Sequence, residues 1–183
     1  MRSHLKQQFI FILLLFVSLR GFAQEVHTEP KTLEPGSKAP EFSLLGVDGK
    51  TYSLKYFENA KVLVVIFSCN HCPTAQAYED RIISIANDYK PKGAEVVMIS
   101  PNSIKALNYS ELGYSDMGDS LEEMIQRAAD KKFPFPYLYD GDEQKTSLAY
   151  GPAATPHCFV FDRNRILRYV GRVDGSEKPG TGK

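Results

Sequence analysis

Cys69 and Cys72 stand two residues apart, where the apolar run Val64–Phe67 gives way to a helical pattern. Thiols at that spacing can exchange disulfides, hold half of a metal site or close a small loop. Exchange needs a thiolate, and an ordinary cysteine, with a pKa of about 8.5, is only a few per cent ionised at neutral pH. A helix start favours ionisation, because its unpaired N–H groups and partial positive charge suit an anion. Cys69 is expected just before the first turn, exposed and activated, with Cys72 inside the turn and shielded. Cys69 is thus the expected attacking thiol and Cys72 the resolving one. His71, between them, is expected to stabilise the thiolate, which makes the disulfide a better oxidant.

The other two uses fit less well. A disulfide closing so small a loop stabilises by only about 2 kcal/mol in the chain-entropy model, on a segment that a strand and a helix already hold. Zinc wants four ligands, and the only obvious additions are His157 and Cys158. Those two are adjacent on an expected strand, so their side chains face opposite ways. A Cu(I) site of two thiolates and one histidine asks for less. Cys158 itself, within the apolar "HCFVFD", is expected to be a buried core thiol.

The elements that must position the cysteines can be read from the pattern. Lys61–Phe67 is almost continuously apolar and β-branched, as befits a strand buried on both faces. After Pro73, apolar residues recur at spacings of three and four up to Tyr89, which predicts a helix. Ala94–Ser100 predicts a second buried strand. Residues 101–118 read as a loop containing a glycosylation sequon at Asn108, taken as a chance match. The next helix is expected to be capped by Asp119 with Glu122 three residues on. A third strand should follow in "FPFPYLYD", then a short helix stopped by Gly151, then two antiparallel strands turning at Arg163-Asn164. Upstream, Asp48-Gly49 marks a hairpin turn. Strands alternating with helices imply a parallel core with covering helices, and the final pair implies an antiparallel edge. The cysteines then fall at the carboxyl end of a buried strand, where open α/β sheets form their sites.

Length bounds the rest. A chain of 183 residues suits one domain. Residues 1–23 carry Arg2 and Lys6, an apolar run from Phe9 to Leu19, and small residues Gly21 and Ala23, the order of a secretory signal peptide. The run is too short to cross a bilayer. Residues 24–38 read as a flexible lead-in, 39–175 as the folded domain and 176–183 as a flexible tail. Without its leader the chain has 19 basic and 22 acidic residues, a net charge of −3. A mildly acidic chain with no basic stripe is poorly suited to nucleic acid. The expectation is an exported protein, periplasmic in a Gram-negative source, with no stable membrane insertion after cleavage.

The order of elements, "FSCNHCP" after a buried strand and "ATPHCFVFD" before the last strands together resemble the thioredoxin-like redoxin family. The similarity runs from about Gly36 to Val173 and is greatest to the exported branch grouped with the alkyl hydroperoxide reductase and thiol-specific antioxidant proteins. The resemblance implies a three-layer α/β/α sandwich with a mixed sheet. It further implies a cis peptide before Pro156, with the Thr155 backbone as the edge against which substrate pairs. It implies a thiol–disulfide oxidoreductase with no organic cofactor, acting on protein thiols or disulfides with an unidentified redox partner. A thiol peroxidase and a Cu(I)-binding metallochaperone are the alternatives. Peroxidases of the family carry P-x-x-x-[TS]-x-x-C. Counting back from Cys72 finds Val65 and Cys69 at the proline and hydroxyl positions, and counting back from Cys69 finds Val62 and Ile66. The buried acid that many thioredoxins keep in the first core strand is missing from "KVLVVIF", and Ala75 stands where cytochrome-maturation members place a Glu. The family also usually adds a closing helix where this sequence reads Gly175–Lys183, so either one sheet face is less covered or the sequence is truncated.

Overall fold

The apolar run at Lys61–Phe67 becomes an interior strand (Val62–Phe67), next to the central one, of a seven-stranded sheet in the computed structural model, which describes residues 31–105, 117–176 and 178. Along the chain come β1 (Ser43–Gly46), β2 (Thr51–Ser53), β3 (Val62–Phe67), α1 (Pro73–Tyr89), β4 (Ala94–Ser100), α2 (Leu121–Lys131), β5 (Tyr137–Tyr139), α3 (Lys145–Tyr150), β6 (His157–Phe161) and β7 (Leu167–Gly171). The strand order is β2-β1-β5-β4-β3-β6-β7. Strands β3, β4 and β5 run parallel, while the β1–β2 hairpin and the β6–β7 pair flank them antiparallel.

Period-two alternation explains why β3 has no polar face. Leu63, Val65 and Phe67 point to one side, into a cluster with Val97, Ile99, Phe159, Phe161 and Tyr150 of α3. Ile66 points to the other, against Tyr78 and Ile82 of α1, Met124 of α2 and Met98. Helices therefore cover both faces, giving the expected three-layer α/β/α sandwich with a mixed sheet. On the α1–α2 side the two helices are tied by Glu79, which is 3 % exposed. Arg127 Nε and Nη2 each donate to its carboxylate at 2.8 Å, and Lys131 Nζ lies 3.3 Å away. A carboxylate this buried is tolerable because a bidentate guanidinium meets both oxygens.

Two expectations change. The N-cap of α2 is Ser120, which accepts from Glu123 N while Glu123 reaches back to Ser120 N. The capping box is thus one residue later than Asp119…Glu122, in the S-x-x-E register that such boxes prefer, and Asp119 is left for other work. The lead-in is also partly docked. Thr32 Oγ1 donates to Gly151 O at 2.6 Å, Leu33 N to Tyr150 O at 2.9 Å, and Gly36 N to Leu167 O at 2.8 Å. Gly151 is required at this crossing, because φ is +61° and the backbone of Lys31 leaves no room for a Cβ. The expected signal peptide and the Asn108 sequon lie outside the described residues. Among the described residues no helix is long and apolar enough to cross a membrane.

Candidate active site

Five residues connect β3 to α1, and they are packed rather than looped out: Ser68, Cys69 and Asn70 are each 3 % exposed or less. The helix begins at Pro73, which suits the first helical position because it has no N–H to leave unpaired. Cys72 is therefore the N-cap, with φ −74° and ψ 119°, and it is the more exposed of the two thiols. This reverses the expected arrangement, in which Cys69 was exposed beside the helix start and Cys72 shielded. The signal that would have placed it correctly is Pro73.

Neither thiol is in a disulfide, and each bears on the other's ionisation. The hydrogen bond from Cys69 pulls the Cys72 thiol well below the ordinary range, with help from the N–H groups of Ala75 and Thr74 and the Thr155 hydroxyl, while burial opposes them. Cys69 is driven far above the ordinary range. Ionisation would break its hydrogen bond to Cys72, it is buried, and the charge of Asp119 opposes it.

Asp119 was read in the sequence as a helix cap, yet it is the best-connected polar group of the site. It is 1 % exposed. Its Oδ1 accepts Asn70 N at 2.6 Å and His71 N at 3.3 Å, and its Oδ2 accepts Asn102 Nδ2 at 2.6 Å. His71 Nδ1 lies 2.5 Å from Oδ2, and a carboxylate only accepts, so this nitrogen carries the proton. Asn70 is fixed as well: its Nδ2 donates to Gly118 O at 2.8 Å, and its Oδ1 and O accept from Tyr137 OH and Gln76 Nε2 at 3.2 and 2.6 Å. The sequence did not point to Asn70, Gln76 or Asn102, and it singled out Asp119 only as a helix cap.

From the opposite side comes the segment before β6. The Thr155-Pro156 peptide is cis. Thr155 Oγ1 lies 3.3 Å from Cys69 Sγ and Thr155 O 3.6 Å from Cys72 Sγ. Clefts of about 330 and 390 Å³ flank Thr155, one bounded by Thr74, Pro156 and Arg172, the other by Asn102, Gln144 and Leu148. A larger hollow of about 560 Å³, lined by Tyr52, Tyr56 and Phe133, contains none of these residues. His157 is occupied in accepting Ala153 N at 2.9 Å. Cys158 lies in the core under α1, 6 % exposed, its pKa pushed up to about 12 by burial.

Cys69, His71 and Asp119 offer ligand atoms within 4.8 Å of one another. That grouping suits a metal poorly, because each Asp119 oxygen already accepts two N–H donors. The arrangement instead sets one thiol at a helix start beside a second, buried one, with the Thr155 backbone facing them.

Comparison with known proteins supports a thiol–disulfide redox function in general. The Redoxin family model matches residues 34–183. The chain is 25% identical over 159 residues to the thiol-disulfide oxidoreductase ResA of Bacillus thuringiensis subsp. konkukian, covering 85% of this chain and 80% of that protein. An uncharacterised conserved protein from Geobacillus kaustophilus has a similar solved structure, with 36% identity, a TM-score of 0.72, and 85% and 77% of the two chains covered. A hypothetical protein from Sinorhizobium meliloti 1021 superposes with 32% identity and a TM-score of 0.71 over 84% of this chain and 78% of its own.

Proposed function

The chain belongs to the Redoxin family and is a thiol–disulfide oxidoreductase, and on that footing we propose that it exchanges disulfides with protein partners through Cys69 and Cys72, with Cys72 attacking first. The observation that carries this is the position of Cys72 at the start of α1, more exposed than Cys69 and held by N–H groups of the first turn. In the reducing direction the Cys72 thiolate attacks one sulfur of a substrate disulfide. That S–S bond breaks, and the departing sulfur leaves as a thiolate and takes up a proton. Cys69 then loses its proton and attacks Cys72 Sγ, which closes the Cys69–Cys72 disulfide and releases the second substrate thiol. Two electrons pass to the substrate; the oxidising direction is the reverse. Thr155 and Pro156 present the edge that orients the substrate backbone, and His71 tunes the thiols from between them. The electrons reside in the dithiol, so no organic cofactor enters. We place the protein outside the cytosol after removal of residues 1–23, in the periplasm for a Gram-negative source, where a redox partner would restore its resting state.

The test is the order of attack. Alkylation of the reduced protein near neutral pH should label Cys72 first, and Cys69→Ala should accumulate mixed disulfides on Cys72. Preferential labelling of Cys69 would restore the sequence-based order and overturn this one. A thiol peroxidase is the second reading, favoured by the Thr155 hydroxyl at the sulfurs, which could bind a peroxide oxygen although the peroxidase motif is absent. Hydroperoxide consumed in step with dithiol oxidation distinguishes it.

A further inference from the structure

Asp119 comes from the connection between β4 and α2, 48 residues beyond the loop it holds. Four donors meet its two oxygens, two of them the backbone N–H groups of the residues between the cysteines. Its carboxylate lies within 4.8 Å of Cys69 Sγ, a cluster that Cys72 does not join. At such a distance, in a site this buried, a negative charge bears strongly on whether a neighbouring thiol ionises. Cys72 instead faces the helix start, where the local potential has the opposite sign. We propose that Asp119 is the positioning residue that assigns the two thiols their roles, keeping the proton on Cys69 so that only Cys72 is a thiolate when substrate arrives. This rests on the exchange reading above and extends it from the thiols to the group that sorts them.

The remaining charged groups nearby do not carry this role. His71 is the partner of Asp119 rather than a rival, and its ring is fixed by the same oxygen that Asn102 meets. Glu123 is committed to Gly118 N and Ser120 N. Glu79, on α1, is neutralised by Arg127 and Lys131. Tyr137, on β5, is fully buried and keeps its proton to high pH. Asp119 is thus the negative charge left facing Cys69. It also supplies a buried acid to the site from a different element than the core strand, where "KVLVVIF" has none.

Two variants test this in the full-length reduced protein. Asp119→Asn keeps the size and one acceptor oxygen but removes the charge. The ratio of Cys69 to Cys72 labelling by iodoacetamide at pH 7, read by peptide mass, should rise at least ten-fold, and the upper step in thiolate absorbance should move to lower pH. Asp119→Asn combined with Asn102→Asp exchanges carboxylate and amide across one hydrogen bond, so it returns a charge nearby and preserves their contact. Its labelling ratio should return toward that of the original protein, and it serves where the single variant does not fold. An unchanged ratio in a folded Asp119→Asn protein, or a raised ratio in the folded double variant, would reduce Asp119 to a structural bracket. If Cys69 is labelled first in the unaltered protein, the exchange order fails and the role of Asp119 with it, whereas an unchanged ratio with Cys72 still labelled first overturns the role of Asp119 alone.

Discussion

The starts of α1 and α2 lie within one hydrogen bond of each other, since Asp119 next to Ser120 binds His71 next to Cys72, and they are built in opposite ways. The first turn of α2 is closed on itself. Ser120 and Glu123 form a reciprocal box, with Glu122 and Glu123 adding acidic charge where the helix dipole wants it. The first turn of α1 has no acidic residue and no side-chain cap hydrogen bond, and its N-cap residue is a cysteine. Both helices face the same unpaired N–H groups. One satisfies them from its own sequence and gains stability; the other leaves them to a cysteine, and what it forgoes in capping it gains in an ionisable thiol. A helix start without the usual oxygen cap, beside one that has it, is where the proposed exchange places its chemistry.

The strongest way to break this contrast is to give α1 an ordinary cap. Cys72→Ser should reduce disulfide exchange to background, because the attacking sulfur is gone. Stability should respond according to pH. Serine is among the best N-cap residues, so at a pH low enough to protonate Cys72 the reduced variant should be the more stable by about 1 kcal/mol. The folded-state pKa of Cys72 is depressed, so its thiolate contributes stability that is fully present above the ordinary thiol range and lost as pH falls through the depressed value. The advantage of serine should therefore shrink or invert as pH rises. Denaturant melts of the two reduced proteins across that range measure this, and a constant difference would mean that Cys72 gains nothing from the helix start.

How much of this contrast the sequence contains depends on how local the cause is. β3 and β4 are legible because burial on both faces leaves an unbroken apolar run, and α1 because Tyr78, Ile82 and Ala86 keep one face toward the sheet. The β1–β2 turn is legible because Gly49, at φ +77°, needs a residue free of Cβ strain. The pairing of Thr155 with the cysteines comes only through the family resemblance, since nothing local links residues 86 positions apart. Asp119 was hidden for the same reason: its partners in the cysteine loop lie 48 and 49 residues back, and its own neighbourhood reads as a helix start. The register of Ser120 and Glu123 was the clue, because a box that begins at Ser120 has no use for Asp119. The placement of the thiols differs from the expectation by a single residue, because the helix begins at Pro73 and leaves Cys72 as its N-cap.

A smaller effect sharpens the comparison within α1 itself. If Cys72 is ionised and Cys69 is not across the neutral range, reduction of the disulfide takes up two electrons and one proton. Each proton in a two-electron couple shifts the potential by about 30 mV per pH unit, and proton uptake makes reduction harder as pH rises. The potential should therefore fall by about 30 mV per unit near neutrality and steepen to about 60 mV per unit below the depressed Cys72 value, where two protons are taken up. Equilibration with glutathione at several pH values reads this slope. A value near 60 mV per unit throughout the neutral range would mean that neither thiol is selectively ionised.

The smallest effect belongs to α2, and it tests whether that helix start is only structural. Ser120 Oγ accepts Glu123 N at 3.2 Å. Ser120→Ala removes that bond and should cost about 1 kcal/mol of stability. The residue before it should be largely unaffected, because Asp119 is held by four donors from the cysteine loop and Asn102 rather than by the box. The melt should shift while the order of alkylation and the reduction potential stay the same. If the potential moves with the melt, the capping box also holds the Asp119 carboxylate in place, and the first turn of α2 belongs to the active site as much as the first turn of α1 does.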